Sequence, residues 1–142
     1  MTRDQVVTEA RKWIGKPWVH QGRGNGPASA VDCIGLVQRV GHAFGVYYED
    51  MLGYSKTPDG VLFLKHMRKF LQPADPKGDL IGTVGVFLQA RYPLHTGIFS
   101  SLNGVTHLIN ARANIRKVVE EPWIPGNGFV LVQVLAFPGL EN

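Results

Sequence analysis

"PADPKGDLIGTVGVFLQA", residues 73–90, is where the chain changes its period. Upstream of it the apolar residues recur at helical spacing. Downstream come "HTGIFSS" (95–101), "VTHLINA" (105–111), "IRKVVEE" (115–121) and "FVLVQVLAF" (129–137). These are short runs rich in Val, Ile, Phe and Thr, separated by turn residues such as "LNG" and "PGNG". With "TVGVFLQA" (83–90) they predict five strands pairing antiparallel through short connections. Helices first and a sheet afterwards define an α+β domain with the helices packed on one side of the sheet.

Three helices are expected before the switch. Thr2 and Gln5 have capping-box spacing, Asp4 lies in the first turn, and Val6, Ala10 and Trp13 form a stripe, so the first helix runs from about residue 3 to about 14. Gly15 and Pro17 end it. A second helix begins near Asp32, carries Cys33, Val37, Val40 and Phe44 on one face, and closes at Gly45. A polar, Tyr-rich loop over 46–60 leads to a third short helix in "VLFLKHMRKFL". No repeat and no linker divides the chain, so residues 1–142 are expected to form one domain.

Composition narrows the function classes. The net charge is +4, but the basic residues are scattered, with no block of five or six, which argues against nucleic acid as a partner. A mild positive field suits an anionic polymer such as bacterial cell wall equally well. One cysteine rules out an internal disulfide and any cysteine-rich zinc site, and no metal or cofactor is expected. No apolar run reaches the ~18–20 residues of a membrane span. The N-terminus lacks the pattern of a signal peptide, so work outside the cytoplasm requires another means of delivery.

The single cysteine opens the second helix. There the dipole and the unpaired N–H groups favour thiolate over thiol and can bind an oxyanion. A small buried hydrophobe is the other reading of the same position. A nucleophilic thiol needs a base, and that base an orienter. His42 is nine residues along the same helix, about 13 Å, too far. His66, among Lys and Arg of the third helix, is expected at the surface. His20 lies in the Gly-rich loop before the cysteine and could line a cleft. His95 opens "HTGIF" on a central strand, where its side chain is expected to face the helix layer and so meet Cys33.

"DCIGLV" followed 62 positions after Cys33 by "HTGIF" resembles the NlpC-type cell-wall peptidases, papain-like enzymes with a helix-borne cysteine and a sheet-borne histidine. "ARKWIGKPWVHQG", "KGD", "THLINAR", "KVVEE" and the terminal "AFPG" resemble the subgroup found in phage tails and gene-transfer-agent particles. The resemblance implies a papain-like fold with N-terminal helices on a mostly antiparallel sheet of five to six strands. It implies a cysteine endopeptidase that hydrolyses peptidoglycan stem peptides, typically between γ-D-glutamate and diaminopimelate. Cys33 would be the nucleophile and His95 the base. The implied partners are peptidoglycan and the hub proteins of a tail tip or baseplate. The implied location is a virion or gene-transfer-agent tail tip, with the chain made in the bacterial cytoplasm and acting on the periplasmic wall. A structural tail-tip component with a vestigial site is the alternative.

Two positions depart from the family pattern. Trp18 stands where a tyrosine is usual, and either stacks on substrate or belongs to the core. The third catalytic position, usually a His-Ala pair, is Asn110-Ala111. Asparagine can serve an imidazole as it does in papain. His107 is the rival; residues 107 and 110 differ by an odd number, so only one of them can face His95 from an unbroken strand, and the resemblance implies Asn110 because "LINA" fits the family register. Around the cysteine, Gly22, Gly24 and Gly26 are expected to form a cleft wall flanked by His20 and by Arg23, the latter suited to capturing a substrate carboxylate.

Overall fold

A computed structural model describes residues 1–46, 60–89, 92–126 and 129–142. Three helices, α1 (Arg3–Arg11), α2 (Cys33–Ala43) and α3 (Gly60–Arg68), precede a six-stranded antiparallel sheet. Its strands are β1 (Gln72–Pro73), β2 (Val84–Gln89), β3 (Tyr92–Leu102), β4 (Val105–Arg112), β5 (Lys117–Pro122) and β6 (Phe129–Ala136). The spatial order is β1-β6-β2-β3-β4-β5. β2 to β5 run as a meander, and β6 returns to pair with both β2 and β1. The α+β class and the papain-like layering follow the sequence reading.

Local chemistry explains the element ends. Thr2 Oγ1 accepts from the Gln5 amide at 3.1 Å, while Gln5 Oε1 accepts from the Thr2 amide at 2.8 Å, which closes the capping box. The helix of α1 stops at Arg11, three residues short of expectation. The chain continues in tight turns, Trp13 N–H to Ala10 O and Ile14 N–H to Arg11 O, before Gly15 takes up φ +87°. Between β3 and β4, Asn103 and Gly104 both have positive φ, the conformation of a two-residue hairpin turn. The strand pair Gln72–Pro73 was too short to show a period in the sequence. The Tyr-rich loop expected over 46–60 lies, apart from its end residues, outside the described residues.

The sheet has two differently furnished faces. Val84, Val86, Ile98, Ile109, Ala111 and Val118 point at the helices and join Val6, Ala10, Ile34, Val37, Val40, Phe63 and Met67 in the main core. Phe87, Phe99, Leu108, Phe129 and Val134 form a second cluster, with Trp123 packed against it. His66 corrects its expected surface position. It is buried, with Nε2 3.1 Å from Gln38 Nε2 of α2, and its ring meets Phe70 edge-on at 5.6 Å. Residues 63, 66, 67 and 70 share one helical stripe, so His66 follows Phe63, Met67 and Phe70 inward despite its charged neighbours.

Candidate active site

Asp32 is the N-cap of α2 and places Cys33 in the first turn. Its Oδ1 accepts from the Gly35 amide at 2.8 Å and its Oδ2 from the Gln21 amide at 3.0 Å. Arg23 Nη1 donates to Asp32 Oδ1 at 2.9 Å and to Gly22 O at 3.1 Å. Arg23 is only 8% exposed and Asp32 3%. The expectation that Arg23 captures a substrate carboxylate is therefore corrected. Its guanidinium faces inward and holds the carboxylate that caps the cysteine helix.

The glycine loop folds onto the helix start. A Cβ on Gly35 would lie 2.0 Å from Gly22 O, so only glycine lets the loop backbone touch the first turn of α2. Trp18 is half-buried and packs against the main core, while its residue bridges to Val31; His20 is half-buried in the same loop.

His95 lies on β3 opposite Phe87, so both stand on the face of the second cluster and not, as expected, on the helix face. Its ring stacks on Phe129 at 5.1 Å and 14°. Its Nε2 is 2.6 Å from Asn110 Oδ1, and both residues are buried. Gly97 makes this contact possible: a Cβ there would sit 2.9 Å from Asn110 Cβ. His107 is turned elsewhere, with Nδ1 2.9 Å from Val105 O. Of the two rivals, then, the structure joins Asn110 to His95.

The backbone amides of Thr96, the residue after His95, and of Ile34 favour the Cys33 thiolate. The thiol and the imidazole thus flank one backbone position, with no hydrogen bond between sulfur and ring among the described residues. Such contacts are commonly loose in unliganded enzymes and tighten around substrate.

Electrostatics reverses one expectation. Burial pushes the Cys33 thiol up to about 12, and the Asp32 charge adds to this; the two amides and Arg23 pull the other way but lose. The helix N-terminus alone does not make a thiolate here. Burial likewise pushes His95 down to about 4, against the Asn110 hydrogen bond, with Arg112 lowering and Glu121 raising it. Both shifts favour the neutral forms of the pair.

Two measurements check this. A thiol held above its ordinary value carries less thiolate near neutral pH, so iodoacetamide should modify Cys33 more slowly than an ordinary thiol. Rapid modification at pH 7 would show a preformed ion pair instead. In the second, the unfolded imidazole takes a proton near 6.5, whereas the folded one holds out to about 4. Stability from this group is therefore full above about 6.5 and lost as pH falls toward 4, by about 3 kcal/mol. Urea unfolding at pH 7 and 4.5 should show that difference in the wild type, and most of it should vanish in His95→Gln.

Two participants escaped the sequence reading. Asn110 Nδ2 donates to Glu121 Oε2 at 3.1 Å, and Arg112 Nη1 donates to Glu121 Oε1 at 2.6 Å. "KVVEE" was visible as a motif, but the diagonal that brings Glu121 to Asn110 depends on strand register. Among the described residues, no group of three or more His, Cys, Asp or Glu side chains could hold a metal ion. Among them, too, no helix is long and apolar enough to cross a membrane.

Several solved structures share this fold. NlpC1 from Trichomonas vaginalis aligns over 95% of this chain at 15% identity and TM-score 0.71. An NlpC/P60 family protein from Bacillus cereus ATCC 10987 aligns over 94% at 14% identity and TM-score 0.63. The chain spans less than half the length of these two, 44% and 39%. An N-acetylmuramoyl-L-alanine amidase from Bacteroides uniformis ATCC 8492 aligns over 95% of this chain and 98% of its own, at 15% identity and TM-score 0.60. No protein-family model and no curated protein matches. At these identities the likeness is one of fold.

Proposed function

We propose that this protein is a cysteine peptidase that hydrolyses amide bonds in peptidoglycan stem peptides, with Cys33, His95 and Asn110 as its catalytic residues. The observation that carries the reading is the buried pair of His95 on β3 and Asn110 on β4, with Cys33 in the first turn of the helix that packs on the same sheet. The shared fold with NlpC/P60 proteins and with a muramoyl-alanine amidase supports the substrate class.

The chemistry follows from the neutral pair. Asn110 Oδ1 can only accept, so the proton between it and His95 belongs to Nε2. Nδ1 is then the basic nitrogen. As substrate closes the gap, Nδ1 takes the thiol proton while Cys33 Sγ bonds to the carbonyl carbon. The imidazolium returns that proton to the leaving amine, and a thioacyl enzyme remains. His95 next activates water, which cleaves the thioester. Backbone amides at the start of α2 are the donors available to the oxyanion.

The bond proposed is that between γ-D-glutamate and diaminopimelate, and the setting a phage-like or gene-transfer-agent tail tip where hub proteins are the partners. Both rest on the sequence resemblance around "DCIGLV", "HTGIF" and the flanking motifs. The structural alternative, a tail-tip component with a vestigial site, draws on the neutral thiol. Digestion of purified peptidoglycan, with products identified by mass, separates the two and names the bond. Asn110→Ala should cut the rate by about a hundredfold or more with the fold intact, whereas His107→Ala should leave it nearly unchanged. The reverse pattern would move the third member to His107.

A further inference from the structure

We infer that Glu121, clamped by Arg112, is a positioning residue: it fixes the orientation of the Asn110 amide and thereby the tautomer of His95. The inference rests on the catalytic reading above and extends it by a fourth and a fifth side chain.

The geometry is a directed chain. Val119 of β5 stands opposite Asn110 of β4, so Glu121, two residues on, shares its face and reaches it on the diagonal. Arg112 lies two residues beyond Asn110 on the same face. The Arg112 guanidinium donates to the Glu121 carboxylate as an ion pair, at 2.6 Å. A carboxylate accepts only, so the Asn110 group facing its other oxygen, at 3.1 Å, is the NH2. The amide cannot then turn over, and its carbonyl faces His95 at 2.6 Å. That carbonyl demands Nε2–H and leaves the lone pair on Nδ1. The other acceptor for the Asn110 NH2, Leu108 O at 3.3 Å, is at the long end of hydrogen bonding and is a weak substitute.

The relay also has a mechanical wall. Arg112 lies over one ring, Phe129, at 5.0 Å, and Phe129 in turn stacks on His95. Arg112 thus braces both the carboxylate and the ring that backs the imidazole. Glu121 and Arg112 are 28% and 17% exposed in their side chains, so the pair sits at the margin of the site and not deep in the core. Substitution there should spare the fold.

The test is 15N NMR of the histidine rings in the full chain, with His95 assigned by the signal lost in His95→Gln, beside kinetics on wall fragments. The wild type should show Nε2–H at His95 near pH 7. Glu121→Met keeps the stem and removes the acceptor. It should bring in the Nδ1–H tautomer and lower kcat about a hundredfold, with KM within about twofold. Glu121→Gln keeps one acceptor oxygen for two donors, Arg112 and the Asn110 NH2, so both effects should appear in part. An unchanged tautomer in Glu121→Met overturns the inference, as does Nδ1–H in the wild type. If Glu121→Met fails to fold, Glu121→Ala decides, since an unchanged tautomer in that variant is equally fatal. Lack of any wall cleavage by the wild type would remove the hydrolase reading, while the NMR result still judges the relay.

Discussion

Cys33→Ala is expected to abolish release of fragments from peptidoglycan, a loss on the order of 10⁴-fold or more, while the melting temperature barely moves. Sulfur is the only atom at the start of α2 able to form the acyl intermediate, and alanine cannot replace it. Alanine is, however, the best helix former, and the side chain lost is small and half-buried. Asp32 still caps the helix through Gly35. Mass analysis of the digest and a thermal melt, run on the same preparation, make the comparison. Undiminished cleavage by the variant would take Cys33 out of the reaction.

Asp32→Ala should cost about 3–5 kcal/mol of stability. One carboxylate receives the Gly35 amide, the Gln21 amide and the Arg23 guanidinium. Its removal strips the cap from α2 and leaves a buried cation without its counter-charge. Asp32→Asn should be milder, because the amide oxygen still accepts from the backbone. The two variants share a second, opposite effect. The Asp32 charge raises the Cys33 thiol, so deleting it lowers the thiol and speeds iodoacetamide modification of the folded protein. Urea midpoints and modification rates together check the pair. A variant as stable as wild type would mean that Arg23 finds another partner at no cost.

What the sequence revealed depended on range. The capping box of Thr2 and Gln5, the Asn103-Gly104 turn and the placement of Cys33 at a helix start are local, and local chemistry decides them. The choice of Asn110 over His107 rested on the family register of "LINA"; parity along one strand, which an unbroken β4 preserves, said only that one of the two can face His95. Everything that depended on a second element was harder. Arg23 looked like a surface cation because nothing nearby in sequence marks Asp32 as its partner. His66 was judged by its charged neighbours and not by its stripe. His95 was assigned to the wrong face, since a strand shows which residues alternate but not which set meets the helices. The thiol's upward shift is a matter of desolvation, a tertiary property that a helix N-terminus does not disclose. Glu121 required the register of β5 on β4.

Two hydrogen bonds that assemble the base and its orienter span strands: His95 meets Asn110 fifteen residues on, and Asn110 meets Glu121 eleven residues on. Closing such loops costs entropy before any contact repays it. A partly folded molecule with α2 already helical would hold its cysteine but neither base nor orienter. On the proposed reading, hydrolytic competence belongs to the completed sheet alone.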